Sequence, residues 1–432
     1  MSEHGLRPER ALPRDLLAPF FFTAPIALVV AGGVLLEAGA PALSTHWSSL
    51  TLSVVHLGTL GLITMFLVGL FHALLAVAGE SEAPRLFSIH GLYYALLVGT
   101  AAFCWGTARS SASAVFFAVG AMGVMGVTLL VQAGTRLRRS RNRGPTVRGL
   151  RLALWGFFWV ISLGIWLAHG HGGMLFPGQR SLWLQVHLTA GLCGWAGAML
   201  MAVSWQVIPI VYGGEAVEGR VVTLLHTCVG LGVVLPCALL LADYFGWLPD
   251  GDWNRAPWAA ALGLPALIAV WLAHPIVALS SGPGRSADAG LWIWRIGLGL
   301  GPFTLLAAVA AFTIDDPRLP LLFGWLSIFG WAGLSLHSLL LRVVPFLIQP
   351  MREGDAGSGR LWIEPRIPDP LVRITLALHL VTLVLGGIGI MGRGDLPIRI
   401  AGAAMVGLGI GLVVLHTRSI RRSNQLGGVG GQ

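Results

Sequence analysis

The sequence contains no lysine; all 28 of its basic residues are arginines. Acidic residues are scarce as well, 19 in 432, and charged residues make up 11% of the chain. A chain that is 55% hydrophobic with so little charge cannot cover a water-exposed surface, which excludes an ordinary soluble domain. Long apolar runs without period-two alternation exclude a membrane β-barrel. Only four cysteines occur, Cys104, Cys193, Cys228 and Cys237, all inside apolar stretches and none in CxxC or CxxCH spacing. That excludes a thiolate zinc site and covalent haem attachment, and leaves buried packing as their role. The segment before the first apolar run is long, so that run reads as a first spanning helix rather than a cleavable signal.

What is present is a succession of apolar runs, with a mean hydropathy of +0.77. The expected class is an all-α integral membrane protein with twelve transmembrane helices. They are placed at about 17–37, 49–78, 88–108, 112–134, 150–169, 182–212, 221–243, 256–281, 291–313, 319–349, 371–391 and 396–417. The +9 charge is not a nucleic-acid footprint, because the arginines cluster in alternate loops. Arg7, Arg10 and Arg14, the run from Arg136 to Arg151, Arg352, Arg360 and Arg366, and Arg418, Arg421 and Arg422 fall on one side. In all, 22 arginines lie on that side and six on the other: Arg109, Arg180, Arg255, Arg318, Arg393 and Arg399. The positive-inside rule then places both termini in the cytoplasm of a bacterial-type inner membrane, and the even helix count agrees. The lipid bilayer is the expected partner, and nucleic acid is not one.

Three of the long helices align with one another. Gly61, Gly194 and Gly330 fall in register, as do Ala76, Pro209 and Pro345, at offsets of 133 and 136 residues. The following helices each carry an arginine with a histidine five or six residues on: Arg85/His90, Arg220/His226 and Arg373/His379. A fixed period of this kind points to repeated units. The expected organisation is one membrane domain, 1–432, of three parallel pseudo-repeats of four helices, 1–143, 144–287 and 288–432.

The 13 histidines are many for so apolar a chain. A histidine inside a span is costly unless paired, ligated or facing a polar cavity. His56 and His187 share one depth near the outer ends of helices 2 and 6, and two facing imidazoles suit a six-coordinate, non-covalently held haem. His169 and His171, in LAHGHGG, admit two readings: exposed histidines at a helix end, or ligands to copper or contacts to haem propionates. His337 divides between helix-to-helix hydrogen bonding and a metal site. His90, His226 and His379 are expected to bond a carbonyl of the preceding cytoplasmic loop, and His274 and His416 to cap their helices.

Twelve helices in three arcs of four, both termini inside, with a histidine near the outer end of helix 2, resemble the haem–copper oxidase subunit I superfamily and its smaller nitric-oxide-response relatives. The resemblance covers nearly the whole chain at the level of architecture. It implies haem held by helices 2 and 10 and copper held by helices 6 and 7. The sequence departs from that pattern: helix 6 lacks His-Pro-Glu-Val-Tyr, helix 7 lacks a His-His pair, and the outer end of helix 10, LPLLFGWLS, has no histidine. Proton-relay carboxylates are also missing; Glu37 and Asp243 sit at helix ends. Two readings follow. The first is a membrane protein binding haem b between His56 and His187, with copper as a further cofactor, an oxidoreductase if it is catalytic. It would act in electron transfer or nitric oxide and small-gas handling without proton pumping, beside a redox partner or other respiratory subunits. The second is a cofactor-free relative acting in assembly, metal delivery or transport, with Trp205, Gln206 and Pro209 lining its cavity.

Overall fold

The computed structural model describes residues 11–79, 86–171, 179–212, 217–249, 254–280, 288–348 and 369–428. Twelve helices are long and apolar enough to cross a membrane, and no strand occurs among the described residues. They are α1 (Arg14–Ala38), α2 (Ser49–Val77), α3 (Ser88–Ala108), α4 (Ala112–Arg139), α5 (Pro145–Gly170) and α6 (Arg180–Val211), then α7 (Gly219–Tyr244), α8 (Ala256–Ser280), α9 (Ala289–Thr313), α10 (Arg318–Pro345), α11 (Pro370–Gly392) and α12 (Asp395–Arg418). Boundaries differ from the hydropathy expectation where a polar end stays helical. α4 continues through Arg136, Arg138 and Arg139. α5 opens at Pro145, whose missing N–H costs nothing in a first turn.

The short connections make successive helices antiparallel, and hydrogen bonds tie together the ends that lie side by side. At one end Arg399 donates from Nη1 to the carbonyls of Leu36 and Glu37, both at 2.7 Å. At the same end Arg255 pairs with Asp243, Arg318 with Asp316, and Arg399 with Asp395. The other end carries the arginine run between α4 and α5 and is called the arginine-rich end below.

α2, α6 and α10 form the centre. Of their most apolar stretches 94%, 83% and 67% lie buried within the protein, against 28% to 50% for the other nine helices. Each of the three contains a π-helical stretch: Leu57–Thr64, Ala190–Gly197 and Leu326–Ala332. Each stretch holds one of the aligned glycines, Gly61, Gly194 and Gly330. A π turn inserts an extra residue, which rotates everything beyond it by about 100° relative to an unbroken α-helix. The stretches meet: Trp195 Nε1 donates to Thr64 Oγ1 at 3.3 Å, joining those of α6 and α2. Trp271, in a fourth such stretch on α8, sits edge-on to Trp331 of α10 at 6.0 Å between centroids. The ring of helices closes between α1 and α12. There a Cβ on Gly32 would stand 2.6 Å from the carbonyl oxygen of Gly402, so the seam requires glycine.

Candidate functional site

On the side of the π stretches away from the arginine-rich end lies a cavity of about 710 Å³. Its volume is within the range of small-molecule and cofactor sites, roughly 300–1,000 Å³. One part is bounded by α2, α4, α5 and α6, with His56, Thr59, Phe157, His187 and Trp195 on its walls. A second part lies among α6, α8, α9 and α10, with Leu264, Trp271, Phe312 and Phe323. Among the described residues no carboxylate lines either part.

His56 is the last α-helical residue before the π stretch of α2. Its Nδ1 lies 2.8 Å from the Leu52 carbonyl. A carbonyl can only accept, so Nδ1 carries the proton and Nε2 holds the lone pair, the arrangement a metal-ligating imidazole needs. The ring packs against Phe103 at 4.7 Å between centroids. His187 sits three residues before the π stretch of α6. Its Nδ1 is buried and makes no well-formed hydrogen bond; the Val160 carbonyl on α5 is the acceptor beside it. The ring faces the α5 backbone where Gly164 leaves room, since a Cβ there would approach His187 Cε1 to 3.1 Å. Both histidines are half-buried, because the exposed part of each ring faces the cavity.

At the cavity mouth His46 and Trp47 lie in the loop between α1 and α2, with ring centroids 4.7 Å apart. Burial pushes the His46 imidazole below its usual pKa, which favours the neutral ring. The Arg180 guanidinium lies over Trp47 at 5.0 Å from the ring centroid.

The other candidates lie apart. His169, at the end of α5, donates Nδ1–H to Ile165 at 2.7 Å and packs beside Phe116 and Trp166. The side chain of His171 lies outside the described residues. His337 is buried toward the arginine-rich end, far along α10 from its cavity-lining residues. His379 donates Nε2–H to the Phe329 carbonyl at 2.8 Å, which leaves its Nδ1 an acceptor for His337 Nδ1–H at 3.2 Å. Thr375 Oγ1 lies 3.2 Å from His337 Nε2. All four ring nitrogens of this pair are engaged within the protein. Among the described residues no group of three or more His, Cys, Asp or Glu side chains is placed to hold a metal ion. Two of the three histidines expected to bond loop carbonyls, His226 and His379, find partners on helices instead. His379 bonds the π stretch of α10, and His226 Nε2 accepts from Trp205 Nε1 at 3.2 Å. Ser204 Oγ lies 2.8 Å from His274 Nε2, so His274 is tied to α6 rather than only ending its own helix.

Sequence reasoning did not anticipate Trp325, which lines the cavity from α10 and donates Nε1–H to the Leu383 carbonyl at 2.9 Å. It also missed Phe103 and Trp195 as cavity walls. Tryptophan beside an aligned glycine (Gly194-Trp195, Gly330-Trp331) was the available signal. Trp205 is fully buried and stands outside the cavity wall. The chain matches no protein-family model, and no curated protein matches it.

Proposed function

We propose that this chain is an integral-membrane haem-binding protein in which His56 and His187 would hold the haem iron. The observation that carries the reading is their convergence. Two imidazoles from two central helices line one cofactor-sized cavity, and among the described residues the other titratable groups on its walls are His46 at the mouth and the thiol of Cys193. The Leu52 bond fixes the His56 tautomer with its lone pair on Nε2, and His187 has a buried nitrogen without a well-formed bond of its own. Both features fit imidazoles that serve a ligand. Bound haem would supply one-electron chemistry. The chain's own residues orient the two rings in an apolar setting and exclude water with Phe103, Phe157 and Trp195. Electron transfer or handling of a small gas such as nitric oxide follows as the role, with haem b as the expected form. Proton pumping is not part of the proposal, because the spans lack the carboxylates and lysines that proton relays use.

A second reading, a cofactor-free carrier, draws on one observation. The second part of the cavity is bordered by Leu264, Val309 and Phe312, which are exposed on the outer surface of α8 and α9, so an apolar substrate has a lateral entry. The deciding experiment is a dithionite-reduced minus oxidised spectrum of purified protein, with haem and copper assay on the same sample. Near-stoichiometric low-spin haem that is lost in both His56→Ala and His187→Ala supports the proposal. Well-folded protein with a flat spectrum refutes it and leaves the carrier reading.

A further inference from the structure

The arginine-rich end presents a surface that the cavity does not use. Between Glu82 and Glu215 the sequence holds ten arginines and no carboxylate. Seven of the ten fall between Arg136 and Arg151, around the turn that joins α4 to α5. Three of these seven are drawn inward. Arg148 donates from Nη1 to Thr223 Oγ1 at 2.7 Å, Arg151 donates from Nη2 to Leu137 at 3.1 Å, and Arg136 is half-buried. The other four, Arg138, Arg139, Arg141 and Arg143, are exposed, and among the described residues no carboxylate pairs with them. The opposite end differs, since Arg255, Arg318 and Arg399 each meet an aspartate there.

The turn that presents these cations is pinned. Asn142 Nδ2 donates to the Ala78 carbonyl at the end of α2 at 2.7 Å, and the Gly144 N–H donates to Asn142 Oδ1 at 2.7 Å. Above it, α4 offers an apolar stripe. Val124, Val127 and Val131 are 63%, 63% and 59% exposed. Spacings of three and four place them on one helical face, and the same face continues into exposed Thr135 and Arg138. The helix dipole accounts for cations in the last turn, at Arg138 and Arg139. It does not account for Arg141 and Arg143, which lie beyond the helix end. An apolar stripe that ends in guanidinium groups with no carboxylate partner among the described residues complements a molecule with a hydrocarbon chain and a phosphate.

We propose that the α4–α5 turn is a binding site for one anionic phospholipid, with its phosphate held by Arg138, Arg139 and Arg141 and an acyl chain lying along Val124, Val127 and Val131. This site is independent of the haem reading and lies at the other end of the bundle.

The test uses the full-length protein, delipidated in neutral detergent and titrated with phosphatidylglycerol or with phosphatidylcholine of identical chains. Native mass spectrometry counts the adducts. Phosphatidylglycerol should bind at least tenfold more tightly. The triple variant R138Q/R139Q/R141Q should lose that preference, and R138K/R139K/R141K should keep most of it. Chain-free glycerol phosphate should fail to compete at equal concentration. Equal retention of the two lipids by the unaltered protein would overturn the proposal, and that comparison needs no variant to fold. Undiminished preference in the glutamine variant, or full competition by glycerol phosphate, would overturn it as well.

Discussion

Removing the His379 imidazole should destabilise the bundle without touching the proposed haem site. His379 makes two interhelical hydrogen bonds, to Phe329 at 2.8 Å and to His337 at 3.2 Å. In bilayer-spanning bundles such bonds average about 0.6 kcal/mol each, with a maximum near about 1.7 kcal/mol. The two together contribute about 1.2 kcal/mol. Truncation to alanine also leaves a hole where a buried ring stood, at a further cost of about 2–5 kcal/mol by analogy with large-to-small core changes. The packing loss is not specific to the hydrogen bond, so a double-mutant cycle separates the two. His337→Ala, His379→Ala and the double variant would be unfolded in detergent micelles and followed by tryptophan fluorescence. The coupling between the two sites should be about 0.6–1.7 kcal/mol and favourable. Additivity within about 0.3 kcal/mol would mean that the two rings are neighbours without a bond, and would refute the tautomer chain from Thr375 through His337 to Phe329.

Other outcomes follow from single contacts. Gly164→Val would drive a branched side chain into His187, whose Cε1 stands only 3.1 Å from where a Cβ would be, so on the proposed haem reading haem per protein should fall severalfold while Gly164→Ala loses less. Equal haem content in both would place the His187 ring elsewhere. Gly32→Leu should lower the unfolding midpoint by an amount equivalent to about 1–3 kcal/mol, because the α1–α12 seam leaves no room for a side chain; an unchanged midpoint would show that the seam relaxes freely. The Asp316 carboxyl is held down to about 2 by its hydrogen bonds from the Arg318 side chain and backbone. Its folded value is depressed, so its contribution is fully present above the unfolded value near about 3.9 and disappears as pH falls through about 2. Unfolding midpoints of the unaltered protein and Asp316→Asn should therefore differ at pH 5 and converge at pH 2; a constant difference would assign the effect to something other than this carboxyl.

The spans were legible because a bilayer leaves only one economical solution for a long apolar run, and all twelve stand where hydropathy placed them within a few residues. The polar end of α4 escaped because hydropathy cannot see that Arg136, Arg138 and Arg139 remain helical. The aligned glycines Gly61, Gly194 and Gly330 marked the centre of the protein, but not that each lies in a widened turn. A π stretch depends on what packs around it, and no local propensity encodes it. His56 and His187 were legible as a pair because depth along a helix can be counted from its end. The partners of His226, His274 and His379 were not. Trp205, Ser204 and Phe329 come from helices 21, 70 and 50 residues away, and only the packing of the bundle brings them together.

The glycine seam between α1 and α12 has a consequence for biosynthesis. Gly402 is made 370 residues after Gly32. At the usual pace of translation, about 5–20 residues per second, α1 waits roughly 20–70 s in the bilayer before the surface it must meet exists. During that interval its small-residue face, shaped for a backbone and not for acyl chains, is open to other partners. The closing of the ring is therefore the step most exposed to misassembly, and an insertion factor or a lipid that shields α1 would act on yield rather than on the finished protein.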